Sequence, residues 1–356
     1  MRSFEKGVEY YRPETTDPHV QKRIAELLDI LKKDVLILGH HYQRDDVIRF
    51  ADHSGDSLIL SQKAAAAEKK HIIFCGVYFM AECADILTSD AQSVYLPDRE
   101  AGCSMADMAT GEDVEHVWHH LLSHTRETII PVTYINSSAE IKAFVGKNNG
   151  IICTSSNASR VFDWAMARGS KILFLPDQYL GMNTAETKGI SRDRMYILKA
   201  LPDEAQIAKT RVFLWDGYCS VHKCFTPADV ENMRSRYPDI RIIVHGECIP
   251  EVVRGSDHYG STSAIIKHVS DSEKGSVWAI GTEQHLVHRL QQRFPDKTIM
   301  PLAENGFQCT TMSLITPESL LAVLQEIQSG SKAHIIRVED EIKFYAKTAL
   351  MRMLEL

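Results

Sequence analysis

The stretch Val35-Leu-Ile-Leu-Gly-His-His-Tyr-Gln43 joins a short apolar run to a cluster of polar side chains. Residues 35–38 are of the near-continuous apolar type that is typical of a strand buried on both faces. Similar runs, each bounded by Gly, Pro, Asp or Ser, recur at 72–75, 94–96, 129–135, 151–153, 172–175, 212–214, 242–244, 277–280 and 299–302. Amphipathic, helix-like stretches lie between many of them, among them 18–33, 113–123, 227–237 and 282–293, and 337–356 is typical of one long helix. This alternation predicts an α/β fold with parallel sheets covered on both faces.

A weak internal repeat organises these elements. A strand that ends in polar residues occurs at 36–43, 132–140 and 242–251, and a second strand follows at 72–82, 151–160 and 257–267. Each block then has a strand, a short loop and one cysteine, at 93–103, 211–219 and 298–309. Three similar α/β units are the simplest account of this pattern. Because parallel α/β sheets bind ligands beyond the carboxyl ends of their strands, we expect three such ends to form one shared pocket.

Composition excludes several classes of function. The 356 residues carry a net charge of -7, and 44% of them are hydrophobic, as in ordinary soluble proteins. This balance does not favour nucleic acid or an acidic membrane surface as a partner. The first residues lack the apolar core of a signal peptide, and no apolar run is long enough to span a bilayer, so we expect a cytoplasmic protein. There is no P-loop, no GxGxxG after a strand, no HExxH and no CxxC.

The repeat singles out three of the eight cysteines: Cys103, Cys219 and Cys309. Three thiolates suit a [4Fe–4S] cluster whose fourth iron has no protein ligand, and such an iron can act as a Lewis acid. Spacing alone leaves open that these are unrelated loop thiols. It also leaves two rivals, Cys224 and Cys248. Cysteines inside apolar runs, at 75 and 153, are more typical of the core.

Two strand ends carry side chains that are suited to acid–base chemistry. His40 and Tyr42 follow the first apolar run, and an imidazole with a phenol can transfer protons or bind a carbonyl oxygen. We expect His41 to point the other way and to be structural. His245 and Glu247 follow a later strand and alternate onto the same side. For each, a purely structural role is the alternative.

Hydroxyl and amide groups form a further set at strand ends and helix starts, where they can bind carboxylate or phosphate. Each of them alone is more typical of a helix cap, and it is their convergence from three units that favours a binding site. The set comprises Asp56, Ser57, Tyr134, Asn136, Thr154, Ser155, Ser156, Asn157, Ser261 and Thr262.

These motifs, taken together, resemble the quinolinate synthase family. The resemblance covers nearly the whole chain, with the motifs in the order of that family. They are GHHYQ (39–43), GDS (55–57), GVYFMAE (76–82), LPDREAGCSMADM (96–108), YINSSAE (134–140), TSSNAS (154–159), WDGYCSVH (215–222), HGECIPEV (245–252), GSTSAIIK (260–267), GTE (281–283) and FQCTTM (307–312).

The resemblance implies a fold, a reaction and a cofactor. It implies three homologous αβα, Rossmann-like domains around a pseudo-threefold axis, with a [4Fe–4S] cluster at their junction. We divide the chain into 1–110 (completed by the C-terminal helix 335–356), 111–225 and 226–334. The implied reaction condenses iminosuccinate with dihydroxyacetone phosphate to quinolinate, releasing phosphate and two waters, in NAD biosynthesis. Functional coupling to L-aspartate oxidase, which makes the imine, is a further implication.

Position by position, the resemblance implies the cluster ligands Cys103, Cys219 and Cys309, which provisionally sets Cys224 and Cys248 aside. It implies four catalytic residues: Glu247, His40, Tyr42 and His245. The implied substrate-binding set is His40, Ser57, Tyr134, Ile135, Asn136, Ser155, His245, Gly246, Glu247, Ser261 and Thr262. It also implies that His222 lies near the cluster.

The chain departs from the family pattern at two positions. Gly246 stands where proline is common, and we expect it to loosen that loop. Cys309 stands alone where some members carry CxxCxxC, so redox control by a neighbouring disulfide is not expected at that site.

The hypothesis from sequence is therefore a quinolinate synthase in which an open iron assists dehydration, Glu247 is the general base, and His40 and Tyr42 polarise substrate oxygens. Two alternatives remain at this point. One is another three-domain iron–sulfur enzyme, such as a hydroxymethylbutenyl diphosphate reductase, and the other is a non-catalytic iron–sulfur regulator.

Overall fold

A computed structural model describes residues 4–356, and within this range parallel strands form three larger sheets. Every residue of the strands that begin at Val35 and Ile129 is buried, as their apolar sequences require. The strands are β1 (Val8–Tyr10), β2 (Val35–His40), β3 (His53–Gly55), β4 (His71–Cys75), β5 (Ser93–Tyr95), β6 (Ile129–Tyr134), β7 (Ile151–Cys153), β8 (Lys171–Leu175), β9 (Met195–Ile197), β10 (Val212–Leu214), β11 (Arg241–His245), β12 (His258–Gly260), β13 (Val277–Gly281), β14 (Thr298–Pro301), β15 (Phe307–Cys309) and β16 (Ile335–Ile336).

The three sheets share one strand order. The orders are β3-β2-β4-β5, β7-β6-β8-β10 and β12-β11-β13-β14, and all of these pairings are parallel. Strand β9 extends the second sheet in parallel, and β16 extends the first sheet in antiparallel. The predicted α/β fold with parallel sheets is confirmed. The division of the chain into three domains with the boundaries given above stays a prediction.

The sequence alignment of the repeat was wrong in its first block. The stretch 72–82 was matched to 151–160 and 257–267, but β7 and β12 correspond in sheet position to β3, whereas β4 is the third strand of its unit. The physical reason is that β3, His-Ser-Gly, is short and has no apolar residue, so hydrophobic patterning does not detect it.

Helices flank the sheets, and all five helices expected from amphipathic patterning are present. They are α1 (Pro18–Leu31), α2 (Asp45–Ile48), α3 (Ser57–Ala65), α4 (Tyr78–Leu87), α5 (Gly111–His124), α6 (Ala139–Lys147), α7 (Ala158–Met166), α8 (Gln178–Thr187), α9 (Glu204–Lys209), α10 (Ser220–Lys223), α11 (Pro227–Arg236), α12 (Pro250–Gly255), α13 (Thr262–Asp271), α14 (Gln284–Arg293), α15 (Pro317–Ser329) and α16 (Asp340–Glu355). No helix in residues 4–356 is long and apolar enough to cross a membrane.

The C-terminal segment joins two of the sheets. Strand β16 pairs with β5 of the first sheet, whereas α16 packs mainly on α6, which belongs to the second, and also on α4. The close approach of α16 and α6 needs a glycine at 146, because a Cβ there would overlap the backbone carbonyl oxygen of Tyr345. Asp85 of α4, whose side chain is fully buried, accepts hydrogen bonds from Arg337 Nη1 at 2.8 Å and from the Val338 N–H at 3.0 Å. One buried carboxylate therefore holds the start of the C-terminal segment.

We predict that Asp85→Asn lowers the free energy of unfolding by about 2 kcal/mol, because the half-exposed Arg337 guanidinium loses a buried charged acceptor. Urea unfolding followed by circular dichroism measures the change. The matched control is Asp90→Asn, since the Asp90 side chain is 99% exposed and lies 3.7 Å from Lys343 Nζ. We expect Asp90→Asn to lower the free energy of unfolding by less than about 0.5 kcal/mol, because this ion pair is exposed. Equal effects of the two variants would contradict the role of Asp85.

Candidate active site

A single cavity lies where the carboxyl ends of the three sheets meet, with about 790 Å³ of empty space including its mouth. The first strand of each unit ends in a residue that lines it: β2 in His40, β6 in Tyr134 and β11 in His245. The residues two positions later also line it: Tyr42, Asn136 and Glu247. The shared strand order thus gives each unit an equivalent pair of side chains at the cavity.

The second strand of each unit leads into a helix whose start faces the same cavity. Ser57 opens α3, Thr262 opens α13, and Ser155 lies in the turn before α7. Free backbone N–H groups at helix N-termini favour an anion. Within residues 4–356, two buried polar atoms near them have no hydrogen-bond partner: Asn136 Oδ1 and Thr262 Oγ1. Since buried polar atoms are normally hydrogen-bonded, these two are available to a ligand.

Asp56 ties the three helix starts together. Its Oδ1 caps α3 by accepting the Ile59 N–H, and its Oδ2 accepts hydrogen bonds from Ser156 Oγ at 2.6 Å and Ser263 Oγ at 2.7 Å. Burial opposes ionisation of this carboxyl, but these hydrogen bonds lower its pKa below the ordinary value. An ionised Asp56 therefore fixes the relative positions of α3, the turn before α7, and α13.

The three cysteines singled out by the repeat meet in this cavity. Cys103, Cys219 and Cys309 line it, and each follows the fourth strand of its unit (β5, β10 and β14) in the chain. None forms a disulfide. The two rivals lie elsewhere: Cys248 is fully buried in the core, and Cys224 is absent from the cavity lining.

Electrostatics suit these thiols to a cation. Burial raises the pKa of Cys103 to about 12 and that of Cys219 well above its ordinary value, and the neighbouring cysteines and Glu247 raise both further. Burial also raises the pKa of Cys309. Three thiolates in one buried cavity are unfavourable without a positive charge near them, and a metal supplies that charge. The donor set therefore fits a metal centre.

A second donor group overlaps the first. Ligand atoms of Cys219, His222 and Glu247 lie within 4.8 Å of one another. A sulfur, an imidazole nitrogen and a carboxylate oxygen can together hold one divalent ion. Two of these donors are already paired, however, because His222 Nδ1 lies 3.0 Å from Glu247 Oε2.

Glu247 is the centre of a buried hydrogen-bond network. Tyr134 donates its hydroxyl to Oε1 at 2.5 Å, and the stacked rings of His222 and His245, 4.3 Å apart, lie beside the carboxylate. Burial would raise the pKa of Glu247, but its interactions with His245 and His222 and the hydrogen bond from Tyr134 lower it below the ordinary value. Glu247 is thus a carboxylate at neutral pH, although only 2% of its surface is exposed.

The two strand-end histidines are held in the same tautomer. The backbone N–H of Tyr42 donates to His40 Nδ1 at 3.1 Å, and that of Glu247 donates to His245 Nδ1 at 3.4 Å. Burial chiefly lowers the pKa of each imidazole to about 3, so both are neutral. With Nδ1 an acceptor, the proton is on Nε2, and each ring can donate one hydrogen bond from that atom.

Tyr42 connects the first unit to the other two. Its hydroxyl lies 2.7 Å from Thr282 Oγ1 and 3.4 Å from His222 Nε2. Burial raises its pKa well above the ordinary value, so it is a neutral phenol. Arg289 of α14 donates to the Gln43 carbonyl and to Asp45 Oδ1, both at 2.7 Å, and so holds the loop that follows Tyr42.

Two carboxylates, the buried Glu283 and the partly buried Glu14, flank the buried His285 next to the Cys309 segment. His285 Nδ1 lies 2.7 Å from Glu283 Oε1, and its Nε2 bonds to Glu14. Burial opposes its protonation, but Glu283 and Glu14 raise its pKa to about 10, so it is an imidazolium. Glu283 Oε1 also accepts the Cys309 N–H at 3.3 Å, which positions the backbone of the third cysteine.

Most residues singled out from sequence are brought together here. Three of the substrate-binding set are outside the lining: Ile135 is in the core, Ser261 caps α13, and Gly246 bonds through its backbone. The sequence analysis placed Asp56 in the wider set of polar groups but not among the implied substrate-binding residues, and it gave Glu283 no role. The signals for them were their places beside Ser57 and in the GTE motif. His41 does not line the cavity, in keeping with its expected structural role.

Comparison with known proteins identifies the family. The sequence profile described as "Quinolinate synthetase A protein" matches residues 22–355. A quinolinate synthase of Acidobacterium capsulatum is 47% identical over 350 residues, which are 96% of this chain and 94% of that protein. Those of Bacillus anthracis and Bacillus cereus are 46% identical over 351 residues, or 97% of this chain and 95% of each of theirs. On a match of this extent, the chain belongs to the quinolinate synthase family of enzymes.

Proposed function

We propose that this protein condenses iminosuccinate with dihydroxyacetone phosphate to give quinolinate, phosphate and two waters. The observation that carries the proposal is one buried cavity that combines three cysteines, an ionised glutamate with two neutral histidines, and three helix starts from three sheets. The names of the similar proteins agree with it. A non-catalytic regulator has no need of the acid–base groups. A diphosphate reductase would need an electron donor.

Cys103, Cys219 and Cys309 are the residues that would hold a [4Fe–4S] cluster. Three cysteines leave one iron without a thiolate, and when bound the cluster supplies a Lewis acid for substrate oxygen at that iron. The fit rests on the position of the three cysteines in the lining of one cavity, and a cationic centre would offset their raised pKa values.

The helix starts would bind the anionic groups of the substrates. Ser57, Ser155 and Thr262 offer hydroxyls there, and the unpartnered Thr262 Oγ1 and Asn136 Oδ1 are suited to phosphate, carboxylate or imine groups. Asp56 itself carries a negative charge. The carboxylate accepts hydrogen bonds from Ser156 and Ser263, and these bonds stabilise its charge. Its role is therefore to position the three helix starts and not to bind the substrate.

Glu247 would move the protons. Its carboxylate is ionised and can accept a proton from substrate carbon or nitrogen, but hydrogen bonds from Tyr134 and His222 weaken its basicity. Proton transfer therefore requires that substrate displace at least one of these bonds. His40 and His245 would donate Nε2–H, and Tyr42 its hydroxyl, to substrate oxygens as negative charge develops.

Membership of the family supports two further parts of the proposal, which are the division into domains and a coupling to another enzyme. The chain would divide into three αβα domains at 1–110 with 335–356, 111–225 and 226–334, each built on one of the sheets. Iminosuccinate hydrolyses in water, so a functional coupling to L-aspartate oxidase would shorten the time that the imine spends in solution.

We predict that Cys219→Ser abolishes both the cofactor and the activity, whereas Cys224→Ser keeps both. Cys219 lines the cavity and Cys224, five residues later, does not. Anaerobic reconstitution followed by iron and sulfide analysis measures about four of each per chain for the cluster. A single metal ion that needs Cys219, His222 and Glu247 would instead indicate the overlapping donor group. Equal iron and sulfide content in both variants would contradict the assignment of Cys219.

We predict that Glu247→Gln lowers kcat by about 100-fold or more, because an amide cannot accept the proton. Quinolinate formed at saturating substrates is the measurement, on protein whose iron content equals that of the parent. Glu251→Gln is the control, since this exposed glutamate four residues later pairs with the surface residues Arg192 and Arg254. Full turnover by a fully loaded Glu247→Gln variant would exclude the role of general base.

We predict that Asp56→Asn raises KM for dihydroxyacetone phosphate by about tenfold, because one amide oxygen cannot accept the Ile59 N–H and both serine hydroxyls, and the helix starts lose their mutual alignment. Steady-state kinetics separate KM from kcat, which we expect to change less. Ser156→Ala should have a smaller effect alone and no further effect in the Asp56→Asn background. Additive effects of the two substitutions would show that Asp56 does not act through Ser156.

A further inference from the structure

The segment of residues 4–16, here called the N-terminal strap, crosses all three of the cysteine-bearing segments. Gly7 lines the cavity, and a Cβ on it would lie 3.1 Å from the hydroxyl of Ser104, which follows Cys103. The Lys6 carbonyl accepts a hydrogen bond of 2.9 Å from Ser220, which follows Cys219. The strap therefore reaches the first and second cysteine segments within two consecutive residues.

The strap reaches the third cysteine by backbone pairing. Strand β1 is antiparallel to β15, with Val8 opposite Cys309, and the Thr310 N–H donates to the Gly7 carbonyl at 3.2 Å. Gly7 has φ of +99°, a conformation that side-chain-bearing residues rarely adopt. This turn lets the chain pass over Ser104 and Ser220, whose hydroxyls lie 3.1 Å apart, and then pair with the third cysteine segment.

Both ends of the strap are anchored by charge. At one end Glu5 pairs with Lys223 at 2.8 Å, on the short helix α10 that follows Cys219. At the other end Glu14 binds the buried His285, which holds Glu283 and through it the Cys309 N–H. Between the anchors, the ring of Tyr10 stacks on Phe307 with centroids 5.8 Å apart.

We propose that the N-terminal strap is a positioning element of the metal centre, which holds the three cysteine segments at fixed separations and covers the cavity beside them. The inference rests on the proposed function in so far as a cluster binds those cysteines. The strap precedes the part of the chain that matches the family profile, residues 22–355. Glu14 lies 295 residues before Cys309 in the chain, and its hydrogen bond to the charged His285 thus helps to hold the third cysteine segment.

Glu14→Gln in the full-length chain tests the proposal, since it weakens one anchor without touching a cysteine segment. Cluster-free protein is alkylated with iodoacetamide under native conditions, and mass spectrometry gives the rate at each cysteine. We expect alkylation of Cys103, Cys219 and Cys309 to rise about tenfold, as local opening becomes easier by one charge-assisted hydrogen bond. Cys75 and Cys153, which are fully buried in strands, should stay unreactive and so report that the chain is still folded.

The reconstituted protein gives the second measurement. Iron loss to a chelator should accelerate in parallel with alkylation. Glu26→Gln is the matched control, because this exposed residue of α1 pairs with Arg23 of the same helix and should change neither rate. If Glu14→Gln exposes Cys75 and Cys153 as well, Glu5→Gln, at the exposed anchor, replaces it.

The outcomes separate this proposal from the proposed function. Unchanged alkylation of the three cysteines in a folded double variant Glu5→Gln, Glu14→Gln would overturn the role of the strap even if four irons bind. Faster alkylation in a protein that binds no cluster would support the strap and overturn the proposed cofactor.

Discussion

The site depends on one geometric constraint. Parallel strands all end at the same edge of a sheet, and the carboxyl edges of three sheets with the same strand order meet at one cavity. His40, Tyr134 and His245 occupy equivalent strand ends. The residues two positions later in each unit also line the cavity. Side chains more than 200 residues apart in sequence therefore meet without any long loop to carry them. The cysteines use the same constraint at the fourth strand of each unit.

Bringing polar groups to a buried point costs free energy, and the chain offsets that cost in two ways. Three ionisable side chains are kept neutral, because burial lowers the pKa values of His40 and His245 and raises that of Tyr42. Charges that remain are paired or hydrogen-bonded, as Glu247 is by Tyr134 and His222, and Asp56 by two serines. The atoms left without a protein partner, such as Thr262 Oγ1, then lie where a ligand would bind.

Hydrophobic patterning predicted the strands that carry the core and their alternation with helices, because burial on both faces requires apolar runs. It did not predict β3 or β15, whose sequences His-Ser-Gly and Phe-Gln-Cys are short and mixed, whereas β12, His-Tyr-Gly, was predicted from the repeat and not from an apolar run. Spacing alone could not choose among the loop cysteines, since Cys224 lies only five residues after Cys219 and it is the fold that places Cys219 in the cavity lining. Nor could it pair Glu14 with His285, because nothing in the sequence near Glu14 marks a partner 271 residues away.

Gly246 shows how backbone bonds can replace a rigid side chain. A glycine between His245 and Glu247 was expected to loosen the loop, but its N–H donates to the Gly260 carbonyl at 3.0 Å. Asn183 of α8 donates to the carbonyls of Gly246 and Cys248, both at 2.9 Å. Proline would restrict φ but has no N–H to give to β12. The position of Glu247 is therefore fixed by hydrogen bonds to both neighbouring peptides, and glycine keeps a bond there that proline would lose.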